Sequence, residues 1–204
     1  VEAMLAGKPV PVESTRPMGC STKWLEKKKQ VMEIEQQWSI APVTLETIDI
    51  AGIAKLAKNG TNKVRLVNVW ATWCPPCVAE FPGLVSLSRR LGNRDFEFIS
   101  ISVDDPADQA KAKAFLEKQH ASIPNRVQRS LKAEGRTTNN YLFSGGDLDA
   151  LMDALDKKSA GPVPHTIIIK PGGEVVYRRT GDIDVEELKA KVIDLLGPYY
   201  DEKK

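Results

Sequence analysis

The stretch Val64 to Trp70, VRLVNVW, runs within four residues into Cys74-Pro75-Pro76-Cys77, and a helical pattern follows to Leu91. A short apolar run with β-branched residues reads as a buried strand. The helix from Cys77 to Leu91 presents Leu84, Leu87, Ser88 and Leu91 on one face and ends at Gly92-Asn93. Pro82 falls inside it and is expected to kink it or loosen its first turn. A buried strand turning straight into a helix belongs inside a covered sheet, and here the turn itself carries two cysteines.

The rest of the chain repeats this alternation. Before it come a short strand near Val43 to Leu45 and a helix from about Asp49 to Lys58, stopped at Asn59-Gly60. After it, FEFISISV (96 to 103) is a second central strand. DDPADQAKAKAFLEKQH (104 to 120) is a helix opening with acidic residues and an early Pro, both favourable there. The segment from Ser122 to Thr138 shows no decisive pattern. GDLDALMDALDK is a short helix with Asp147 near its cap. HTIIIK and EVVYRR are strands joined by PGG in a tight hairpin. DVEELKAKVIDLLG closes the chain as a helix, capped by Asp182 or Asp184 and stopped at Gly197-Pro198. Strands alternating with helices predict an α/β fold, a central sheet covered on both faces. The final hairpin makes that sheet mixed.

The N-terminal part reads differently. Residues 1 to 23 are rich in Pro and small residues and read as a linker. From Thr22 to Trp38, residues Trp24, Val31, Ile34 and Trp38 fall near one face of a helix, which needs a partner surface. The expected organisation is therefore a linker or tail over 1–23, a helix and connection over 24–42, the main domain over 43–198 and a tail over 199–204.

Charge narrows the function classes. The 29 basic and 27 acidic residues leave a net charge of +2, which makes no case for nucleic acid. Lys27 to Lys29, a short basic run, reads as a solvated helix face. No apolar stretch approaches the roughly 18 residues of a membrane span. The chain starts at Val1 and is expected to be a processed product or a fragment.

Three cysteines are too few for a disulfide scaffold. A structural zinc needs four ligands, and beyond Cys74 and Cys77 the chain offers only Cys20, His120 and His165. A disulfide across two intervening residues closes a tiny loop, so as a structural clip it gains little. The redox reading fits best. At the start of a helix, unpaired N–H groups and the helix dipole favour a thiolate at Cys74. Cys77, one turn further in, is placed to attack a mixed disulfide formed there. Pro76 suits a first turn. No organic cofactor or metal is called for beyond a redox-active disulfide, Cys74–Cys77.

The segment VNVWATWCPPCVAEFP resembles the active-site segment of thioredoxin-like proteins of the TlpA/ResA group, and the resemblance covers about Val43 to Leu196. GPVPHTIIIKPGGEVVYRRTGDID supports it, because in the thioredoxin fold a cis-proline begins the strand facing the cysteine pair, where Val163-Pro164 stands here. The resemblance implies a thioredoxin fold with an N-terminal helical extension and a thiol:disulfide oxidoreductase. Cys74 would be the attacking thiol and Cys77 the resolving one. Pro164 would shape a substrate groove bordered by Trp73, Pro75 and Pro76. The backbone of Val163 would pair with an extended substrate segment. The group has Asn where thioredoxin has a buried acid, matched by Asn68, and a Glu three residues after the second cysteine, matched by Glu80. Glu80 is either a proton shuttle for the pair or an exposed first-turn residue. Trp73 either flanks the groove or packs half-buried, and Trp70 belongs to the core. His165 either favours the Cys74 thiolate as a cation or merely lines the groove. His120 is a helix-dipole partner.

The implied partners are protein thiol or disulfide substrates and an upstream thiol donor. The implied setting is extracytoplasmic, a bacterial periplasm or cell exterior. Often the role is reductive, such as keeping cytochrome c apoprotein thiols reduced. VEAMLAGKPVPVESTRPMGCSTKW more weakly resembles the tail of a preceding thioredoxin- or peroxiredoxin-like domain of the same polypeptide, to which Cys20 would belong; an unpaired linker cysteine is the alternative. Two rivals stand beside this reading: a peroxiredoxin-like peroxidase, and a non-enzymatic binding module.

Overall fold

A computed structural model describes residues 5–8, 24–159 and 161–198. The expectations for Cys20, for most of 1–23 and for the tail over 199–204 lie outside the described residues. Packing groups the chain into two units, Val1–Gln37 and Trp38–Lys204. The first contains most of helix α1 (Trp24–Ile40). In the second, the Arg89 guanidinium lies 5.0 Å over the ring of Trp38, a cation–π contact.

The larger unit is built on one six-stranded sheet, ordered β1-β4-β3-β2-β5-β6. Its strands are β1 (Glu46–Ile48), β2 (Val64–Trp70), β3 (Phe96–Ser102), β4 (Asn140–Phe143), β5 (His165–Ile169) and β6 (Val175–Thr180). The first four run parallel, and β5 and β6 are antiparallel. The helices are α2 (Ile50–Lys58), α3 (Pro75–Leu91), α4 (Gln109–Lys118), α5 (Asn125–Ala133), α6 (Leu148–Leu155) and α7 (Val185–Leu196). The expected α/β architecture, a mixed sheet with helices on both faces, is the one observed.

Alternation along each strand sorts side chains between the two faces. Leu66, Trp70 and Ile168 join α3, α4 and α7 in one core. Val67, Val69, Ile167 and Ile169 join α2 and α6 in the other. Central strands β2 and β3 are buried at every position, as parallel strands covered on both sides must be. Trp70 is fully buried, with its ring 4.9 Å from Phe81 and 4.8 Å from Phe115.

Caps fix the helix starts. Asp49 accepts from the Gly52 amide, Asp147 from Asp149, and Asp184 from Glu186 and Glu187. Asp184, of the two candidates, caps α7. The hairpin turn places Gly172 and Gly173 at φ 90°. A Cβ at Gly173 would approach the Lys58 carbonyl at 3.0 Å, so glycine is needed there.

Five features differ from expectation. The first strand is Glu46–Ile48 rather than Val43 to Leu45, because its partner is β4 in the register Glu46↔Tyr141. The unassigned region holds α5, which buries only Val127 and Leu131, a stripe too thin to signal a helix. It is followed by β4, whose four residues Asn140–Phe143 are all buried. The helix expected from Asp104 starts later: a 3₁₀ turn over Pro106–Asp108 leads into α4, and Asp104 stays outside both. α3 begins at Pro75 and continues through Pro82 to Leu91.

Candidate active site

β2 ends at Trp70 and α3 begins at Pro75, so the cysteine pair occupies the strand-to-helix turn. Cys74 is the N-cap of α3, with extended backbone angles. Pro75 and Pro76 fill the first two helical positions, where an N–H would have no helical partner. The first available amide is therefore that of Cys77, and it donates to Cys74 Sγ at 3.3 Å. Two prolines thus direct the helix's leading donor onto one sulfur. The pair is present as a disulfide, with Cα atoms 5.3 Å apart. Cys74 is 4% exposed and Cys77 fully buried, so an incoming group meets Cys74 first.

Around the pair, Trp73 is 60% exposed. It is not a packing residue of the core. Pro75 is exposed and Pro76 half-buried. The Val163–Pro164 bond is cis. The pairing Val69↔His165 places Pro164 one residue beyond, at the end of the sheet where Trp70 leads into Cys74. Val163 packs on the core cluster that contains both cysteines. The Pro164 carbonyl accepts from the Gly181 amide at 2.9 Å.

His165 is placed differently from expectation. It shares the parity of Ile167 and Ile169, which face α2 and α6. Its ring is 2% exposed. Nε2 lies 2.6 Å from Ser159 Oγ and Nδ1 lies 2.9 Å from Thr180 Oγ1. Burial lowers its pKa below the ordinary histidine value, against the pull of Asp156. A neutral, enclosed imidazole neither lines a groove nor offers a cation to Cys74. It ties the loop leading into β5 to strand β6.

Glu80 resolves toward the inward alternative. It lies one turn after Cys77 on the same face of α3 and is 8% exposed. Asn68 Nδ2 donates to Glu80 Oε1 at 2.9 Å and to Thr166 Oγ1 at 3.0 Å. Burial lifts the Glu80 pKa to about 7, partly offset by hydrogen bonds from Asn68 and the Ile183 amide and reinforced by the charge of Asp182. An aspartate at position 68 would repel Glu80; the amide of asparagine does not. A carboxyl with this pKa gains and releases a proton near neutrality.

That pKa has a consequence for stability. The unfolded chain releases this proton near 4.5, and the folded protein near 7. The native state therefore binds more protons between those values and loses stability as pH rises through them. The shift corresponds to on the order of 3 kcal/mol. Glu80→Gln is expected to abolish this loss. Denaturant melts at pH 4 and pH 9 check it: the variant's advantage over the parent should grow between them.

The sequence reading missed Thr166, Ile183 and the Asp104–Thr72 contact. Thr72 N donates to both oxygens of Asp104, each at 3.1 Å. In the sequence, Asp104 reads as part of the acidic start of a helix. Its signal was position, directly after a central strand and level with the cysteine turn. His120 follows α4 with φ 51°, its amide donating to the Glu117 carbonyl. Among the described residues no group of three or more His, Cys, Asp or Glu is placed to hold a metal ion. No described helix is long and apolar enough to cross a membrane.

A disulfide capping a helix at the end of a central strand, beside a cis-proline and over a buried carboxyl, defines the thioredoxin-like class of thiol-disulfide oxidoreductases. The redoxin family profile matches residues 44–192, and the chain belongs to that family. It is 24% identical over 150 residues to the thiol-disulfide oxidoreductase ResA of Halalkalibacterium halodurans, covering 74% of this chain and 72% of that protein. It is 32% identical over 124 residues to the thiol:disulfide interchange protein DsbE homolog of Paracoccus denitrificans, covering 61% of this chain and 54% of that protein. The chain thus spans little more than half of that second relative. The thioredoxin domain of a thiol-disulfide oxidoreductase from Bacteroides vulgatus, 19% identical, superposes with a TM-score of 0.50 over 70% of this chain and 84% of that one. At that identity the likeness bears on the fold.

Proposed function

We propose that this chain reduces protein disulfides by dithiol–disulfide exchange at Cys74–Cys77, outside the cytoplasm. The observation that carries the reading is the asymmetry of the pair: Cys74 at the helix cap, accepting the Cys77 amide at 3.3 Å, and Cys77 fully buried behind it.

In the reduced protein, the Cys74 thiolate attacks one sulfur of a substrate disulfide. The Cys74–substrate bond forms, the substrate S–S bond breaks, and the departing thiolate takes up a proton. Cys77 then gives its proton to Glu80 and attacks Cys74 Sγ. The Cys74–Cys77 bond forms, and the second substrate thiolate leaves and is protonated. Two electrons pass to the substrate, and an upstream thiol donor restores the dithiol. Glu80, with a pKa near 7, is suited to take and return that proton. Trp73 offers an exposed apolar platform beside the pair, and the backbone at Val163, before cis-Pro164, would pair with an extended substrate segment, as the resemblance to the TlpA/ResA group implies. No bound cofactor takes part in these steps.

The extracytoplasmic setting, and a role such as keeping cytochrome c apoprotein thiols reduced, rest on the resemblance to the TlpA/ResA group. The test is insulin-disulfide reduction with dithiothreitol as donor, run with a periplasmic fractionation of the native host. Acceleration by the parent protein and its recovery in that fraction are expected. A rate equal to dithiothreitol alone would refute the activity, and recovery in the cytoplasm would refute the setting.

A further inference from the structure

We propose that Asp104 is a positioning residue for the active-site turn: it holds residues 72 to 74 through Thr72, and its charge sets how readily Cys74 ionises. The inference rests on the redox reading of Cys74–Cys77.

Asp104 lies just beyond β3 and is 2% exposed. The Thr72 amide donates to both its oxygens at 3.1 Å, and the Thr72 hydroxyl to Oδ1 at 2.6 Å. Ser102 Oγ lies 2.7 Å from Oδ2 and accepts from the Asp104 amide at 3.1 Å. Because Ser102 accepts there, its own hydroxyl proton turns to Oδ2. Every contact thus converges on the carboxylate as an acceptor.

The placement is specific to the turn. Trp70 and Ser102 are register partners, so β2 and β3 end level. The Val103 amide still reaches the Trp70 carbonyl at 2.9 Å. Past that point the chains diverge, and the Asp104 carboxylate bridges them. Thr72 is two residues before Cys74, and the Cys74 amide closes back on the Ala71 carbonyl at 3.2 Å. Trp73 is therefore held out between two anchored residues.

A buried negative charge beside this turn disfavours a thiolate there. It opposes the helix terminus, which favours one. A less stable thiolate shifts the exchange equilibrium toward the disulfide, making the reduced pair a stronger reductant. Among the other acids near this end, Asp105 caps the Pro106–Asp108 turn through the Ala107 amide, Asp108 closes that turn, and Glu80 and Asp182 act on each other; none of them takes part in the Thr72 contacts.

Two variants separate charge from support. Asp104→Asn keeps the shape and removes the charge. Thr72→Val keeps the charge and removes one hydroxyl donor that masks it. The readouts are iodoacetamide alkylation of reduced Cys74 at a fixed mildly acidic pH, followed by peptide mass, and equilibrium with a glutathione redox buffer. Asp104→Asn should alkylate about tenfold faster, the equivalent of one pKa unit, and shift toward the dithiol. Thr72→Val should alkylate more slowly and shift toward the disulfide. A merely structural role moves both variants in the same direction, or lowers only the melting temperature; either result overturns the proposal. Should Asp104→Asn not fold, Thr72→Val decides by both readouts: slower alkylation with a shift toward the disulfide supports the proposal, and slower alkylation at an unchanged equilibrium, or no slowing, overturns it. A parent protein that does not exchange with glutathione overturns the redox reading itself and this inference with it. A parent that exchanges, with variants indistinguishable from it, overturns only the role of Asp104.

Discussion

Cys74→Ser reduces disulfide exchange to the background rate of the donor alone, while Cys77→Ser leaves the protein covalently attached to its substrate. The two outcomes differ because the cysteines differ in place. Cys74 caps α3, where the Cys77 amide and the helix terminus stabilise its thiolate. A hydroxyl in its place is far too weak an acid to attack a disulfide near neutrality. Cys77 is fully buried and does not meet the substrate first. Removing it spares the attack but blocks release, so a mixed disulfide accumulates at Cys74. Mass spectrometry of the Cys77→Ser protein after incubation with a disulfide peptide should show the adduct. An adduct of equal yield on Cys74→Ser, mapped to Cys77, would reverse the assigned roles.

The second large effect lies at the other end of the same two strands. Arg65 and Glu97 are register partners on β2 and β3. Arg65 Nε donates to Glu97 at 2.5 Å and a second guanidinium nitrogen to Glu134 at 2.8 Å. Lys63 and Arg136 join the same two carboxylates. Glu97 is 1% exposed and Arg65 2%. Burying such a group costs desolvation that its mutual attraction roughly offsets, so the cluster as a whole adds little net stability. Removing one member is another matter. Glu97→Ala leaves Lys63, Arg65 and Arg136 sharing the Glu134 carboxylate alone, an excess of positive charge at a largely buried site, at an expected cost of about 3–5 kcal/mol. For a chain this long that lowers the melting temperature by roughly 10 °C. Thermal melts check the loss, and insulin reduction at 25 °C by the folded variant should stay at the parent rate. A drop in both at that temperature would mean that this end of the sheet is coupled to the cysteine turn.

The contrast between these two sites shows what a sequence exposes. The redox centre was legible because its chemistry is local: two sulfurs, two prolines and a strand-to-helix switch lie within one continuous segment. Val163-Pro164 was legible only through the resemblance of its segment to the thioredoxin fold. The ion cluster was not. Arg65 sat inside VRLVNVW and Glu97 inside FEFISISV, each a single charge in a run that reads as buried strand. Only the parallel register brings them together. Glu80 stood midway: its identity was visible, but its burial depends on Asn68, Thr166 and the loop at Asp182 and Ile183, on three other elements. His165 misled because adjacency to a cis-proline suggested nearness to the cysteines, while strand parity turned the ring to the opposite face. The strand Asn140–Phe143 was missed because four residues give too short a pattern to set against a neighbouring loop, although both of its neighbours in the sheet lie far away in sequence.

A redox titration of the Cys74–Cys77 pair against defined thiol buffers, read by alkylation and mass shift, tests the central claim most directly. A reversible two-electron midpoint near thioredoxin's, roughly −270 mV, is the predicted result and fits a protein that reduces its substrates and needs a donor. A midpoint of roughly −120 to −180 mV would contradict the reducing direction and make the protein an oxidant or isomerase. A pair that does not titrate reversibly would contradict the enzyme itself and leave a fold that only binds.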